Sequence, residues 1–332
     1  MSAAYGLYGH IRANRTRSTI LVVGLFILIY LLVFAFTLAF NGVVMGGEDL
    51  ETILGETGVQ FLYMLPLSTL GGALWVLVGY KFHQRMIDMS TGAKDVSREE
   101  EPDLYNTLEN LCISRGIPMP KLQVIETDVL NAYASGMNEK QYRIAVTRGL
   151  MNTLDREEME AVLGHELTHI RNGDVRLMVV AVVIAGIITL AGEMVFRSLR
   201  HMRMGSSSSS GGNKKGGGAI AILIAVVIIA VAWFLSLVIR FALSRSREYL
   251  ADAGAVELTK NPDAMIRALR KIEGKSDMPA VPSGIMEMCI DNQKNSLADL
   301  FSTHPSIARR IGKLVAVAGG QEGVATPNSP ST

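Results

Sequence analysis

Gly164-His165-Glu166-Leu167-Thr168-His169 is the stretch on which the reading of this chain turns. Two histidines four residues apart share one face of a helix, so both imidazoles can reach a single metal ion. Glu166, one position round, can reach the open coordination position and take a proton from water there. Zinc suits such ligands and lowers the pKa of the water it holds toward neutrality. A helix is expected because Leu163, Leu167 and Ile170 supply an apolar side and capping chemistry precedes them, either Thr153 with Glu157 or Asp155 with Glu158.

A hydrolytic zinc site needs a third protein ligand and leaves one position open. Arg247-Glu248-Tyr249-Leu250-Ala251-Asp252 offers that ligand. Glu248 and Asp252 are again four apart, so Glu248 can bind the metal while Asp252 hydrogen-bonds a liganding imidazole. Away from the first motif, Glu248 would read as an ion-pair partner of Arg245 or Arg247.

Composition narrows the setting. The chain has 332 residues, 49% of them hydrophobic, and a net charge of +1. Its mean hydropathy of +0.28 and several unbroken apolar runs indicate a membrane protein. The balanced charge gives nucleic acid no electrostatic footprint, and nucleic acid is excluded as a partner. Cys112 and Cys289 lack CxxC spacing, so neither a disulfide framework nor a cysteine-rich zinc module is expected.

Four apolar segments stand out. Thr19 to Phe40 is long enough to cross a bilayer, and Phe61 to Tyr80 is a second candidate despite Pro66 and Gly71-Gly72. Arg12, Arg15 and Arg17 precede the first, Lys81 and Arg85 follow the second, and the loop between carries Glu48, Asp49, Glu51 and Glu56, which sets both flanks in the cytoplasm. Leu177 to Phe196 and Ala219 to Phe241 are the third and fourth, joined by a flexible Ser/Gly tract, Gly205 to Gly218. Arg197, Arg200, Arg203, Lys214 and Lys215 lie in or beside that tract, so the second hairpin either overrides the charge rule or inserts partway. Glu193 reads as an interfacial ion-pair partner of Arg197.

The remainder is polar enough to fold in water. Helices are expected over Asp103 to Ser114, from near Thr153 past His169, over Ser244 to Thr259 and over Pro262 to Ile272. Lys121 to Glu126 and Tyr142 to Thr147 alternate apolar with polar residues and read as strands. The expected divisions are a transmembrane hairpin over 1–80, catalytic regions over 81–176 and 242–318 flanking a hydrophobic hairpin over 177–241, and a disordered tail over 319–332.

An H-E-x-x-H motif followed, after a hydrophobic hairpin, by E-x-x-A-D resembles the family M48 metalloproteases, in particular their bacterial heat-shock branch. Asn131-Ala132-Tyr133-Ala134-Ser135-Gly136 and Thr303-His304-Pro305 to Arg310 occur in the family's order as well. The resemblance implies a mainly α-helical integral membrane protein with four hydrophobic segments and a zincin-like α+β metalloprotease domain. It implies one Zn2+ per chain on His165, His169 and Glu248, Glu166 as general base and Asp252 as supporting carboxylate. By the same resemblance, His304 and Arg310 lie at the active site, His304 as an oxyanion stabiliser. The strand at Asn131 and Ala132 binds extended substrate through its backbone. Membrane or unfolded proteins are the implied substrates, at the cytoplasmic face of the inner membrane, in quality control under stress. Two departures are noted: Tyr133 stands where the family often has Phe, and the Gly/Ser loop is of low complexity. The rival expectations are a specific processing peptidase of the same family and a non-catalytic scaffold that uses zinc only to fold; a base at Glu166 argues against the scaffold.

Overall fold

The computed structural model describes residues 7–183, 186, 217–241, 246–279, 281–286, 288–291 and 304–319. In chain order its elements are α1 (Leu7–Val44), α2 (Leu50–Thr91), β1 (Lys94–Asp95), α3 (Pro102–Arg115), β2 (Lys121–Ile125), β3 (Ala132–Ser135), β4 (Arg143–Thr147) and α4 (Arg148–Thr153). They continue with α5 (Arg156–Asn172), helical residues 174–183 (α6), α7 (Gly217–Phe241), α8 (Ser246–Thr259), α9 (Pro262–Ile272), α10 (Ser283–Met286) and α11 (Ile307–Ala318). The chain is therefore mainly helical with one small mixed sheet. It divides into two compact units, one of Thr16–His83 with Val180–Ala242, the other of Met1–Arg15, Gln84–Val179 and Leu243–Thr332.

The first unit is built for lipid. Among the described residues, Ser18–Val44, Leu50–Thr91 and Gly217–Phe234 are long and apolar enough to cross a membrane. Leu62, Leu67 and Leu70 on α2 remain 64%, 64% and 67% exposed, which is tolerable only where hydrocarbon surrounds them. Ala35 and Leu38 of α1, Ile53 of α2 and Ala221 and Ala225 of α7 form its buried core. Polar clamps add to that packing: Asn41 Nδ2 donates to Thr57 Oγ1 at 3.0 Å and to Gln60 Oε1 at 3.1 Å, and Tyr30 shares a 2.9 Å bond with Thr69. The protein is thus a membrane protein with three described candidate spans. Of the expected third segment only 177–183 and 186 are described; Glu193, Arg197 and most of the Gly/Ser tract lie outside the described residues, as does the expected tail beyond Gly319.

The second unit carries both sequence motifs. Its sheet runs β1-β2-β4-β3, with β2 and β4 parallel and the other pairs antiparallel. The two strands expected from alternation form as β2 and β4, and four of five residues in each are buried, because the sheet is covered on both faces. β3 is an edge strand that packs on α5, and all four of its residues are buried.

α5 begins at a capping box of Asp155 and Glu158, each side chain bonded to the other's backbone N–H at 2.9 Å, so of the two expected caps this pair is the one formed. Glu158, itself buried, also accepts from Arg267 at 3.3 Å and Lys271 at 2.5 Å on α9. Gly173, at φ 73°, ends the helix in the left-handed conformation and returns its N–H to the His169 and Ile170 carbonyls.

α8 lies against α5 through small residues. Ala251 and Ala255 are fully buried, and a Cβ on Gly254 would fall 2.4 Å from Thr168 Cγ2 and 2.5 Å from its Oγ1. Thr168 cannot yield, because its hydroxyl is bonded to the Gly164 carbonyl at 2.8 Å and its β-branch fixes the rotamer. Gly254→Ala is therefore expected to cost about 1–3 kcal/mol by overpacking and to push Glu248 away from the histidines. A lower melting midpoint together with reduced zinc content in the purified variant is the expected outcome; an unchanged metal content would show that this contact does not set the helix spacing.

Candidate metal centre

The i, i+4 spacing on α5 delivers what it predicts. His165 Nε2 and His169 Nε2 lie 3.1 Å apart, and they lie 3.7 and 3.8 Å from Glu248 Oε2 and Oε1 respectively. All three residues are buried, and their candidate ligand atoms fall within 4.8 Å of one another. Tetrahedral zinc with bonds of about 2.0–2.1 Å separates its ligand atoms by about 3.3 Å, so one ion fits with small shifts.

The back of each imidazole is fixed by a carboxylate. Asp252 Oδ1 lies 3.0 Å from His165 Nδ1, and Asp174 Oδ2 lies 2.9 Å from His169 Nδ1. Each contact holds the ring's proton on Nδ1 and turns the Nε2 lone pair toward the focus. Arg310 completes this layer, with Nε and Nη2 donating to Asp252 at 2.9 and 2.6 Å and Nη1 to the Ile290 carbonyl at 2.6 Å. His304 Nδ1 stands 3.2 Å from Glu248 Oε2, and Arg247 Nε donates to Glu248 Oε1 at 3.4 Å.

The charges in this cluster call for a cation. With the histidines counted neutral, as metal ligation requires, four buried carboxylates, of Glu166, Asp174, Glu248 and Asp252, face two buried guanidinium groups, of Arg247 and Arg310, which leaves a formal deficit of two positive charges. Both oxygens of Glu166 are buried with no hydrogen-bond partner among the described residues. Unpaired carboxylate oxygens in a dry interior cost several kcal/mol, and a divalent ion at the ligand focus with its water removes the deficit and the orphans together. The residues present therefore fit zinc.

Titration follows from the same fields. Burial raises the Glu166 carboxyl, with the two histidines pulling the other way. For Glu248 burial also acts upward, yet His304 and His169 and the bonds from both ligand histidines outweigh it and hold the group well below the usual carboxylate range. Burial disfavours charge on His169, but Glu248 and Asp174 overcome it and raise its pKa to about 10. A metal ion entering at neutral pH therefore displaces a proton from His169. Asp252 is lowered against its burial by Arg310.

The sequence model of peptidase family M48 matches residues 98–318, which include every residue of the centre. This chain belongs to peptidase family M48. Similar M48 relatives include the protease HtpX homolog of Bacteroides fragilis (strain YCH46), 39% identical over 269 residues that cover 79% of this chain and 83% of that one. The HtpX homolog of Listeria innocua serovar 6a is 38% identical over 318 residues, 93% of this chain and 99% of that one. That of Dictyoglomus thermophilum is 34% identical over 314 residues, covering 93% and 94%. The chain is thus an M48 zinc metallopeptidase of the HtpX kind, a membrane metalloprotease with a buried His165, His169 and Glu248 site.

The structure brings His165, Glu166, His169, Glu248, Asp252, His304 and Arg310 into this one buried cluster. Asn131 and Ala132 lie at β3, where the Asn131 amide is spent inside the protein, donating to the carbonyls of Ser276 at 2.8 Å and Asp291 at 3.3 Å. Asp174 escaped the sequence reading. Its signal was the Asn172-Gly173-Asp174 step, in which a left-handed Gly ends α5 and the next carboxylate lies 2.9 Å from His169 Nδ1.

Arg310 depends on Asp252 for charge compensation, so Asp252→Ala strands a buried guanidinium and is expected to cost about 3–5 kcal/mol. The pH dependence has a definite sign. Because the Asp252 pKa is depressed in the fold, its contribution is complete above the unfolded value of about 3.9 and fades as pH falls through the lower folded value. Chemical denaturation of the metal-free protein across pH 2–6 should show this acid limb, and Asp252→Asn should shrink it; an identical limb in the variant would assign the acid sensitivity to other carboxylates.

Proposed function

We propose that this chain is a zinc-dependent endopeptidase that cleaves damaged or misassembled membrane proteins at the cytoplasmic face of the inner membrane, in quality control under stress. The observation that carries the proposal is a buried His165, His169 and Glu248 site beside a buried carboxylate, Glu166, with no partner among the described residues, in a chain with membrane-length helices. A structural metal site needs ligands but no such base.

Zinc, one per chain, supplies Lewis-acid polarisation of the scissile carbonyl and a more acidic water. Glu166 takes the proton of the attacking water and passes it to the leaving amine. His304, close to Glu248, serves the developing oxyanion. Asp252, Arg310 and Asp174 keep the ligand imidazoles oriented. Asn131 and Ala132 belong to the strand along which an extended substrate pairs through its backbone.

Orientation rests on charge: basic residues precede the apolar part of α1 and follow that of α2, and acidic ones fill the turn between and the start of α2, which supports a cytoplasmic location for both flanks. The proposed organisation is a membrane hairpin over 1–80, catalytic regions over 81–176 and 242–318, and a second hydrophobic hairpin over 177–241.

The test pairs metal content with cleavage of an unfolded membrane protein. Glu166→Gln should keep its zinc and lose about 10²-fold or more in kcat, in line with removal of a general base. Undiminished cleavage by that variant would remove Glu166 from this role.

A further inference from the structure

An extended substrate can pair only with a strand edge whose backbone groups are available. The inner edge of β3 is paired to β4, with Ala132 opposite Val146 and Tyr133 opposite Ala145. Its outer edge is occupied by the protein itself. Tyr133 is bridged antiparallel to Cys289, and the Ile290 N–H donates to the Ala132 carbonyl at 2.9 Å.

The segment Met288–Asp291 is buried along its whole length and pinned from three sides. Arg310 donates to the Ile290 carbonyl at 2.6 Å, Asn131 to the Asp291 carbonyl at 3.3 Å, and the Ser276 hydroxyl to the Asp291 carboxylate at 2.6 Å. Through Asp252, the same Arg310 that grips this segment also supports the ligand His165. Segment and metal centre are joined by one guanidinium.

We propose that Met288–Asp291 is an internal strap lying where the substrate backbone pairs with β3, so that the resting protease is latent and an extended polypeptide gains access by displacing it. This takes β3 as the substrate strand, as in the proposed function above. The main-chain pairing is a single bridge, and one backbone hydrogen bond contributes little net, so the segment is held chiefly by its burial and its three side-chain bonds, which a displacing chain must replace. A substrate strand that pairs over several residues and also reaches the metal outcompetes it. Folded proteins offer no such strand, so the strap selects unfolded segments, and its closed fraction weakens their apparent affinity.

The test uses the full chain, zinc-loaded in detergent. Ile290→Pro deletes the bridging N–H while replacing no metal ligand and keeping the carbonyl that Arg310 grips. The expected result is a lower KM and a rise in kcat/KM for unfolded casein of about fivefold or more, at unchanged zinc content. An equal or lower kcat/KM would make the segment a permanent part of the sheet. Wild-type protein gives an independent readout, because Cys289 is 1% exposed and Cys112, at 2%, is an internal control. With a non-cleavable peptide hydroxamate bound, alkylation of Cys289 by N-ethylmaleimide should accelerate by about tenfold or more while Cys112 does not change. Protection of Cys289 that persists while the hydroxamate inhibits cleavage overturns the strap and leaves the protease standing; cleavage that survives chelation overturns both.

Discussion

Everything at this centre depends on two buried imidazoles of one helix meeting a buried carboxylate of another, a contact that α5 and α8 make by close approach at Gly254 and Thr168. Ala251 and Ala255 keep the seam thin on the same face that carries Glu248 and Asp252. With larger residues there, the helices would separate by more than a metal bond tolerates, since zinc ligation fixes distances to a few tenths of an ångström. Apolar packing thus sets the geometry, and electrostatics fills it.

The electrostatics form a graded chain. Arg310 compensates Asp252, Asp252 orients His165, Asp174 orients His169, and Glu248 is held anionic against full burial by the histidines around it. Glu166 stands apart, buried and without a donor among the described residues, and its pKa moves the opposite way from that of Glu248. Two carboxylates of one cluster are therefore pushed in opposite directions, which accords with the proposed division between ligation and proton transfer. The cluster is incomplete in charge without a divalent ion, which ties metal binding to the stability of the unit.

Much of this was legible because it is local. The two i, i+4 motifs need only helical geometry, and the family pattern supplied His304 and Arg310. Asp174 was hidden behind a change of direction at Gly173, which periodicity does not register. β3 was hidden for another reason: buried on every side, it shows no alternation, and only the Asn131-Ala132 resemblance marked it. The pairing of Tyr133 with Cys289 joins residues far apart in sequence, with no motif at either end, so only the folded chain reveals it. In the membrane unit, length and apolar composition sufficed for three segments, and α2 extends well past the expected Phe61 to Tyr80 because its polar end continues as helix to Thr91.

The most direct test of the central claim is zinc K-edge X-ray absorption on the detergent-purified, zinc-loaded protein. A first shell of nitrogen and oxygen alone at about 2.0–2.1 Å, with outer-shell scattering from two imidazoles and one zinc per chain, is the predicted result. A sulfur contribution at about 2.3 Å, which would bring Cys112 or Cys289 to the metal, or scattering from fewer than two imidazoles, would contradict a centre built on His165, His169 and Glu248.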